Sequence, residues 1–526
     1  MKFLSHSPIF LIQIMASKTK IIFSLLTAGF IAATNAADIV MNLNSSSTFP
    51  GDLSDPSAYL ENGAPYTGTI DSSTNITLNA QFDSVPDKDI ASVSSNITAG
   101  DFTYNMNFPK KFWGKTMLSL SNNYTFSVDN FYFNINESIT THPKLSFNLN
   151  SGATLKVRGD FLYTDIRANK DWYQTRLAIS GSGSFNVDGN LTIDSKPTAA
   201  WNNNLDAVVL EINATNFRVG GNVTIQNSRG DKNIIYMCGT SSTSYARSFG
   251  GLRVSQNGMI ILNGTPEKAS TTDLIFTNTS ESEYVGGLFC IESNGVLPDN
   301  KLNIRMTADS VGGRQIMRFN NLPDWTMDKI VHKGSPNSLG EVEVSKGRLD
   351  IGMYDGMKGG KLMLNGYTGA ANAIFSATGI YSGAEYGKVV FDSMEFSHGT
   401  IVFDLAEEKE FSDFIQINGA VTKTSDTAEL IFDINISAHE LEGWLSGQED
   451  EWNVNLMSFS TSESKLTDDD ITLKLQDGVF GKLSITDLNG ISTITASLTT
   501  VPEPAEIAAL FGLAALFFAW RKRSKK

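Results

Sequence analysis

Cysteine and histidine are scarce in this sequence, with two Cys and five His among 526 residues. Cys238 and Cys290 stand alone, with no CxxC and no neighbouring histidine, which excludes zinc ribbons and dithiol redox motifs. His439-Glu440 lacks a second histidine four residues on, so no HExxH site forms, and a GxSxG elbow and a phosphate loop are missing as well. Metalloprotease, α/β-hydrolase and NTPase chemistries therefore lack their residues. Basic charge is also short: residues 37–504 carry 33 Lys and Arg against 55 Asp and Glu, a net of −22. Such a body repels nucleic acid, and no nucleic-acid partner is expected.

What is abundant is turn chemistry. The chain has 44 Gly and many Ser, Thr and Asn, with only 18% charged residues, a composition suited to short strands and polar turns rather than helices. The fold class expected is all-β.

Both ends carry membrane-related signals. Lys18 and Lys20 precede the apolar run Ile21 to Ala33, and Thr34-Asn35-Ala36 places small residues where a signal peptidase reads. Residues 1–36 thus read as a secretory signal peptide cleaved after Ala36, with Met15 the better start because it gives a compact basic n-region. Thirteen apolar residues fall short of the roughly 20 that span a bilayer. Export permits a disulfide between Cys238 and Cys290 but does not require one.

At the other end Val501-Pro502-Glu503-Pro504 precedes an apolar segment, Ile507 to Trp520, and a basic cluster of Arg521, Lys522, Arg523, Lys525 and Lys526. The prolines forbid helix continuation upstream, the apolar segment predicts a short transmembrane helix over 507–520, and the cluster should stay cytoplasmic. In that order, the three elements of residues 501–526 resemble the PEP-CTERM sorting signal of Gram-negative bacteria, with Pro502, Glu503 and Pro504 matching its motif. The resemblance implies recognition by an exosortase, a membrane anchor that is at least transient, and a final place on the cell surface or in the extracellular matrix, where such proteins accompany polysaccharide.

Between the ends runs a repeated phrase with apolar residues at alternate positions around a central glycine. Three copies align without a gap: Leu155-Val157-Gly159-Phe161-Tyr163, Phe185-Val187-Gly189-Leu191-Ile193 and Phe217-Val219-Gly221-Val223-Ile225. Looser copies begin at Phe126, Leu252 and Phe289, so the second apolar position recurs at 128, 157, 187, 219, 254 and 291. Period-two alternation puts these side chains on one strand face, and a unit of this size with one apolar face must stack on copies of itself. The expectation is a parallel β-helix, or β-solenoid, over residues 121–436, with Gly at a corner and a ladder through 128, 157, 187, 219 and 254. The stretches Asn169 to Gln174, Lys196 to Asp206 and Arg229 to Phe249 are expected to project as loops.

Residues 338–436 carry Gly399-Thr400, Phe403-Asp404-Leu405, Ser412-Asp413 and Asn418-Gly419, and resemble the distal stem of autotransporter passenger domains. The chain departs from that family where a basic membrane tail stands in place of a translocator barrel, so self-translocation is not expected. Residues 37–120 are expected to supply the N-terminal cap and first coils, and residues 437–500, with Trp444, Trp452 and Asp468-Asp469-Asp470, a C-terminal β cap.

No catalytic, cofactor or metal residue follows from spacing. Asp194, Asp206, Glu211 and Asp231 are carboxylates that adjacent coils could bring together, but nothing in their spacing selects them. Asp468-Asp469-Asp470 lacks the alternating ligands of a calcium loop. The function expected is a non-enzymatic surface or matrix protein of adhesin type, its partners signal peptidase, exosortase and extracellular polysaccharide. The alternatives are a polysaccharide lyase or hydrolase on the same scaffold, or a carbohydrate-binding protein using Trp172, Trp201 or Trp325.

Overall fold

The computed structural model describes residues 37–44, 47, 51–81, 89–107, 115–135, 144–166, 174–196, 207–227, 232–238, 245–263, 269–308, 312–327, 330–367, 373–445, 451–462, 464, 466–500, 515–516 and 520–521. The signal peptide with Ala36, the motif Pro502, Glu503 and Pro504, and Lys522, Arg523, Lys525 and Lys526 lie outside them, as do most of residues 507–520. Among the described residues no helix is long and apolar enough to cross a membrane.

The body is a parallel β-solenoid whose coils each contribute to three sheets. One coil shows the plan: Lys144–Leu149 lies in the first sheet, Thr154–Val157 in the second and Phe161–Asp165 in the third. Each strand pairs in parallel with its counterpart in the next coil, as in Leu145↔Leu177, Leu155↔Phe185 and Phe161↔Leu191. Parallel stacking begins at Ala37–Asn44, which pairs with Thr74–Gln81 over its whole length.

The second sheet carries the predicted ladder, and it runs further than the repeat suggests. Val128, Val157, Val187, Val219, Phe249, Phe276, Met306, Val344, Leu364 and Phe396 are aligned coil to coil and all point inward. Val254 is not on it. Phe249 takes the fifth place, while Val254 aligns with Tyr284 in the third sheet, and Ile291 pairs with His332 in an antiparallel hairpin. Alternation has the same period in every sheet, so the pattern alone cannot say which sheet a strand joins.

Aromatic rings fill the core beside this ladder. Phe131 stacks on Phe161 at 4.7 Å between centroids, and Phe185 on Phe217 at 5.2 Å. Such pairs contribute about 0.5–1.5 kcal/mol each beyond area burial. Arg247 then aligns with Phe217 and is fully buried, its Nη1 donating to the Thr215 carbonyl at 3.2 Å.

The glycine of the repeat serves a different purpose from the one expected. Gly159, Gly189 and Gly221 do sit between inward faces, but none has the left-handed φ that only glycine adopts freely. A Cβ on Gly159 would meet Asn130 Oδ1 at 2.3 Å, on Gly189 Asp160 Oδ1 at 2.4 Å, and on Gly221 Asn190 Oδ1 at 2.6 Å. The glycine leaves room for a side chain of the coil before it. Gly181, by contrast, has φ +106° and turns the strand Gln174–Val187 from the first sheet into the second.

That side chain belongs to a second ladder, at the entrance to the third sheet: Asp38, Asn75, Asp101, Asn130, Asp160, Asn190 and Asn222. Asn75 Nδ2 donates to Asp38 Oδ1 at 2.9 Å, Asp101 N to Asn75 Oδ1 at 3.0 Å and Asn130 Nδ2 to Asp101 Oδ1 at 2.9 Å. The series continues with Asp160 N on Asn130 Oδ1 at 2.9 Å, Asn190 N on Asp160 Oδ1 at 2.7 Å and Asn222 N on Asn190 Oδ1 at 2.9 Å. A carboxylate only accepts, so alternating it with an amide supplies donors and keeps like charges two coils, about 10 Å, apart.

One of the expected loops is largely strand. Arg229 to Phe249 contains Lys232–Cys238 in the first sheet and the start of Tyr245–Asn263 in the second. Residues 169–173 and 197–206, including Trp172 and Trp201, lie outside the described residues.

The first sheet is apolar on its outer face too. Val209, Ile234, Tyr236, Met259, Ile261 and Phe289 form a satellite cluster, and the antiparallel hairpin of Trp325–Met327 and Ile330–Gly334 pairs with Phe289 to Glu292 of the strand Glu281–Glu292. Trp325 is buried in this cluster, stacked on His332 at 4.9 Å. It therefore belongs to a packed strap and presents no platform for a sugar. His332 Nδ1 donates to the Trp325 carbonyl at 3.3 Å, and the Tyr236 hydroxyl lies 2.9 Å from Nε2. Burial holds this imidazole below its usual pKa.

At the far end the helix Ala438–Leu445 starts with a capping box, Ser437 and Glu440 bonding each other's backbone N–H. It buries Leu441, and Trp444 packs on Trp452 at 5.1 Å. Trp452–Ser460 leaves the parallel stack to pair antiparallel with Ile491–Thr499, which also pairs with Phe480–Leu488. Asp470 of the acidic run caps Thr467 and pairs with Lys423 at 2.7 Å. Cys290 is a free buried thiol, its Sγ 3.3 Å from the Ser338 hydroxyl.

Candidate functional site

The four carboxylates weighed from sequence do not converge. Asp194 is on the third sheet, in an ion pair with Lys196, while Glu211 is on the first, held by Arg176 at 2.6 Å. Asp206 and Asp231 are outside the described residues. Of the basic cluster only Arg521 is described, as helix together with Trp520.

A different set of polar residues meets on the outer face of the third sheet. Two adjoining depressions of about 500 and 440 Å³ share Glu281 and Glu283 and together form a groove running along the solenoid from Thr192 to Asn435. The outward positions of successive strands build it: Thr192, Thr224, Arg253, Glu283, then Arg314 and Arg348. Register sets them in two neighbouring columns, one through Thr192↔Thr224 and Thr224↔Arg253, the other through Glu281↔Arg314 and Arg314↔Arg348, while Glu283 aligns with Ile316.

The floor is a network of paired charges. Arg314 donates Nε to Asp350 Oδ2 and Nη1 to Glu281 Oε2, each at 2.8 Å, and Arg348 Nε reaches Asp350 Oδ1 at 2.7 Å. Asp350 is buried between the two guanidiniums, which supply the partners a buried carboxylate needs. One wall is the loop from Thr378 to Glu385. Arg318, itself buried, donates Nη1 to Thr378 Oγ1 at 2.8 Å, the Gly379 carbonyl at 2.6 Å and the Ala384 carbonyl at 2.7 Å, while its Nε holds Glu283 at 2.6 Å. Ser382 Oγ closes the clasp on Glu283 Oε2 at 3.0 Å. The loop carries Tyr381, 66% exposed and next in sequence to Ser382, which lines the groove.

Asp404 lines the end of the groove, accepting from Asn435 Nδ2 at 2.8 Å. Behind it Asp413 is buried and accepts from Gly387 N at 2.7 Å and Asp404 N at 2.9 Å. Burial, with Asp404 and Asp350 nearby, pushes the Asp413 carboxyl well above the usual carboxylate range.

Sequence reasoning missed this groove because its residues come from Glu281, Arg314, Arg348 and Asp404, spread over 124 positions with no common spacing. The one available signal was the run of Arg and Glu at outward strand positions where earlier coils carry Thr and Asn.

No family model matches the chain. No curated protein matches it either.

Proposed function

We propose that the chain is an exported surface or matrix protein, a stiff non-enzymatic spacer of adhesin type sorted by its C-terminal segment. The observation that carries this reading is the inward ladder from Val128 to Phe396, aligned through ten coils. Nine steps of about 4.8 Å make a rod of roughly 43 Å from that segment alone. A rod of stacked coils resists bending because every backbone pair and core contact along it must give way together. An acidic, polar exterior suits exposure to water, and the basic cluster from Arg521 onward suits the cytoplasmic side of a membrane. The Pro502-Glu503-Pro504 tail supplies the proposed route, with signal peptidase and exosortase as processing partners.

Protease treatment of intact cells tests the placement. The expected result is digestion of the body in whole cells while cytoplasmic markers survive. A body that resists protease until the cells are lysed contradicts the proposal.

A further inference from the structure

The geometry points to the groove on the third sheet as a binding site for a neutral, hydroxyl-rich polysaccharide strand lying along the solenoid axis. This rests on the reading of the chain as an extracellular protein and adds the ligand's class and its site.

Charge decides the class. Every arginine of the groove floor is already engaged: Arg314 and Arg348 by Asp350, Arg318 by Glu283, and Arg253 by the Glu281 carbonyl and Ser282 hydroxyl. Glu385 and Asp404 add further negative charge at the opening. A polyuronate or sulfated chain would meet guanidiniums that, Arg253 apart, are already paired with carboxylates, and it would meet further carboxylates, so acidic glycans are disfavoured. Paired acids and guanidiniums suit hydroxyl groups instead, since a carboxylate accepts from them and a guanidinium donates to them.

Shape decides the length and direction. The groove crosses successive strands from Thr192 to Asn435, so its ligand must be extended and run across the coils. Tyr381 stands exposed on a loop that Arg318 holds in place, which gives an aromatic face at low cost in ordering. The ligand is thus a chain of rings with apolar faces and hydroxyl edges.

The test uses the full chain purified in mild detergent, with dextran, hydroxyethyl cellulose and alginate as probes in affinity electrophoresis. The expected result is retardation by at least one of the two neutral polymers, unchanged in 0.5 M salt, and none by alginate. Tyr381→Ala combined with Glu281→Gln should weaken it about tenfold, while Lys358→Ala, outside the groove, should leave it intact. Circular dichroism confirms that each variant is folded. Binding to alginate alone, binding that salt abolishes, neutral binding indifferent to the groove substitutions, or no binding to any probe overturns the inference. Because the assay uses purified protein, its outcome is separate from surface placement, which the protease experiment decides.

Discussion

Asn190 and Asp160 are thirty residues apart in the chain and one coil apart in the solenoid, where Asn190 donates both its backbone N–H, at 2.7 Å, and its Nδ2, at 3.1 Å, to Asp160 Oδ1. The contact repeats in variant form from Asp38 to Asn222 and ties each coil to the next on the outside, while Val, Phe and Leu tie them inside. Gly189 is glycine because this pair occupies the space a side chain would take.

Asn130→Asp tests the alternation. The substitution sets three carboxylates in successive coils, with Asp101 and Asp160 on either side, about 5 Å from one another. Repulsion should lower stability by about 1–2 kcal/mol at neutral pH. It raises the folded-state pKa of the group above its unfolded value near 4, so the folded form takes up protons first and the penalty disappears as pH falls through that range. Urea titrations at pH 7 and pH 3.5 check it. A deficit that is equal at both pH values means that repulsion is not its cause.

Gly189→Ala tests the glycine. Its Cβ would come within 2.4 Å of Asp160 Oδ1 and 2.6 Å of the Gly159 carbonyl, so the coil must shift. A loss of about 1–3 kcal/mol is expected. Gly443→Ala is the contrasting case, because the helical Gly443 has nothing within 4 Å of a new Cβ and should gain roughly 0.5–1 kcal/mol. Thermal denaturation of the two variants should move in opposite directions.

The solenoid could be read from the sequence because one coil's chemistry returns in the next. Val157, Val187 and Val219 do stack as their phrase implies. Between Phe249 and Leu252 the chain has one residue fewer than between Val219 and Val223, the same alternation passes there from the second sheet to the third, and Val254 falls in the third sheet and off the expected ladder. Alternation reports a buried face and is silent about which face. The continuous apolar run Ile234-Ile235-Tyr236-Met237 lies in the stretch expected to project as a loop; with Met259-Ile260-Ile261-Leu262 it forms a sheet buried on both sides, its outer face covered by the strap containing Trp325. The groove was not legible, because register between coils, not spacing along the chain, brings Glu281 beside Arg314.

The strap should open in acid. Burial holds the His332 pKa below the unfolded value near 6.5, which favours the neutral imidazole in the fold. Lys232 lies over the Trp325 ring at 4.7 Å, Lys333 pairs with Glu292, and Asp324 accepts from Gly334 N, so a proton on His332 gains no carboxylate partner in the strap. Between the two pKa values the unfolded state binds more protons, hence the stabilisation is complete above about pH 6.5 and is lost as pH falls below it. Hydrogen exchange of residues 325–334, corrected for intrinsic rate, should rise at pH 5 relative to pH 8 while residues 154–165 stay protected. His332→Gln should remove the pH dependence, and a strap equally protected at both pH values contradicts this account.

The most direct test of the central claim, an exported solenoid sorted by its tail, is mass spectrometry of the surface fraction of cells with a working exosortase. A helix over the 14 residues Ile507 to Trp520 would span about 21 Å, short of the roughly 30 Å hydrocarbon core, and would suit a transient stop better than a permanent anchor. The account predicts peptides from residues 37–500 and none that run from Val501 into Ile507. Finding mature protein at the surface with residues 501–526 intact contradicts sorting by cleavage, and finding the body only in the cytoplasm contradicts export itself.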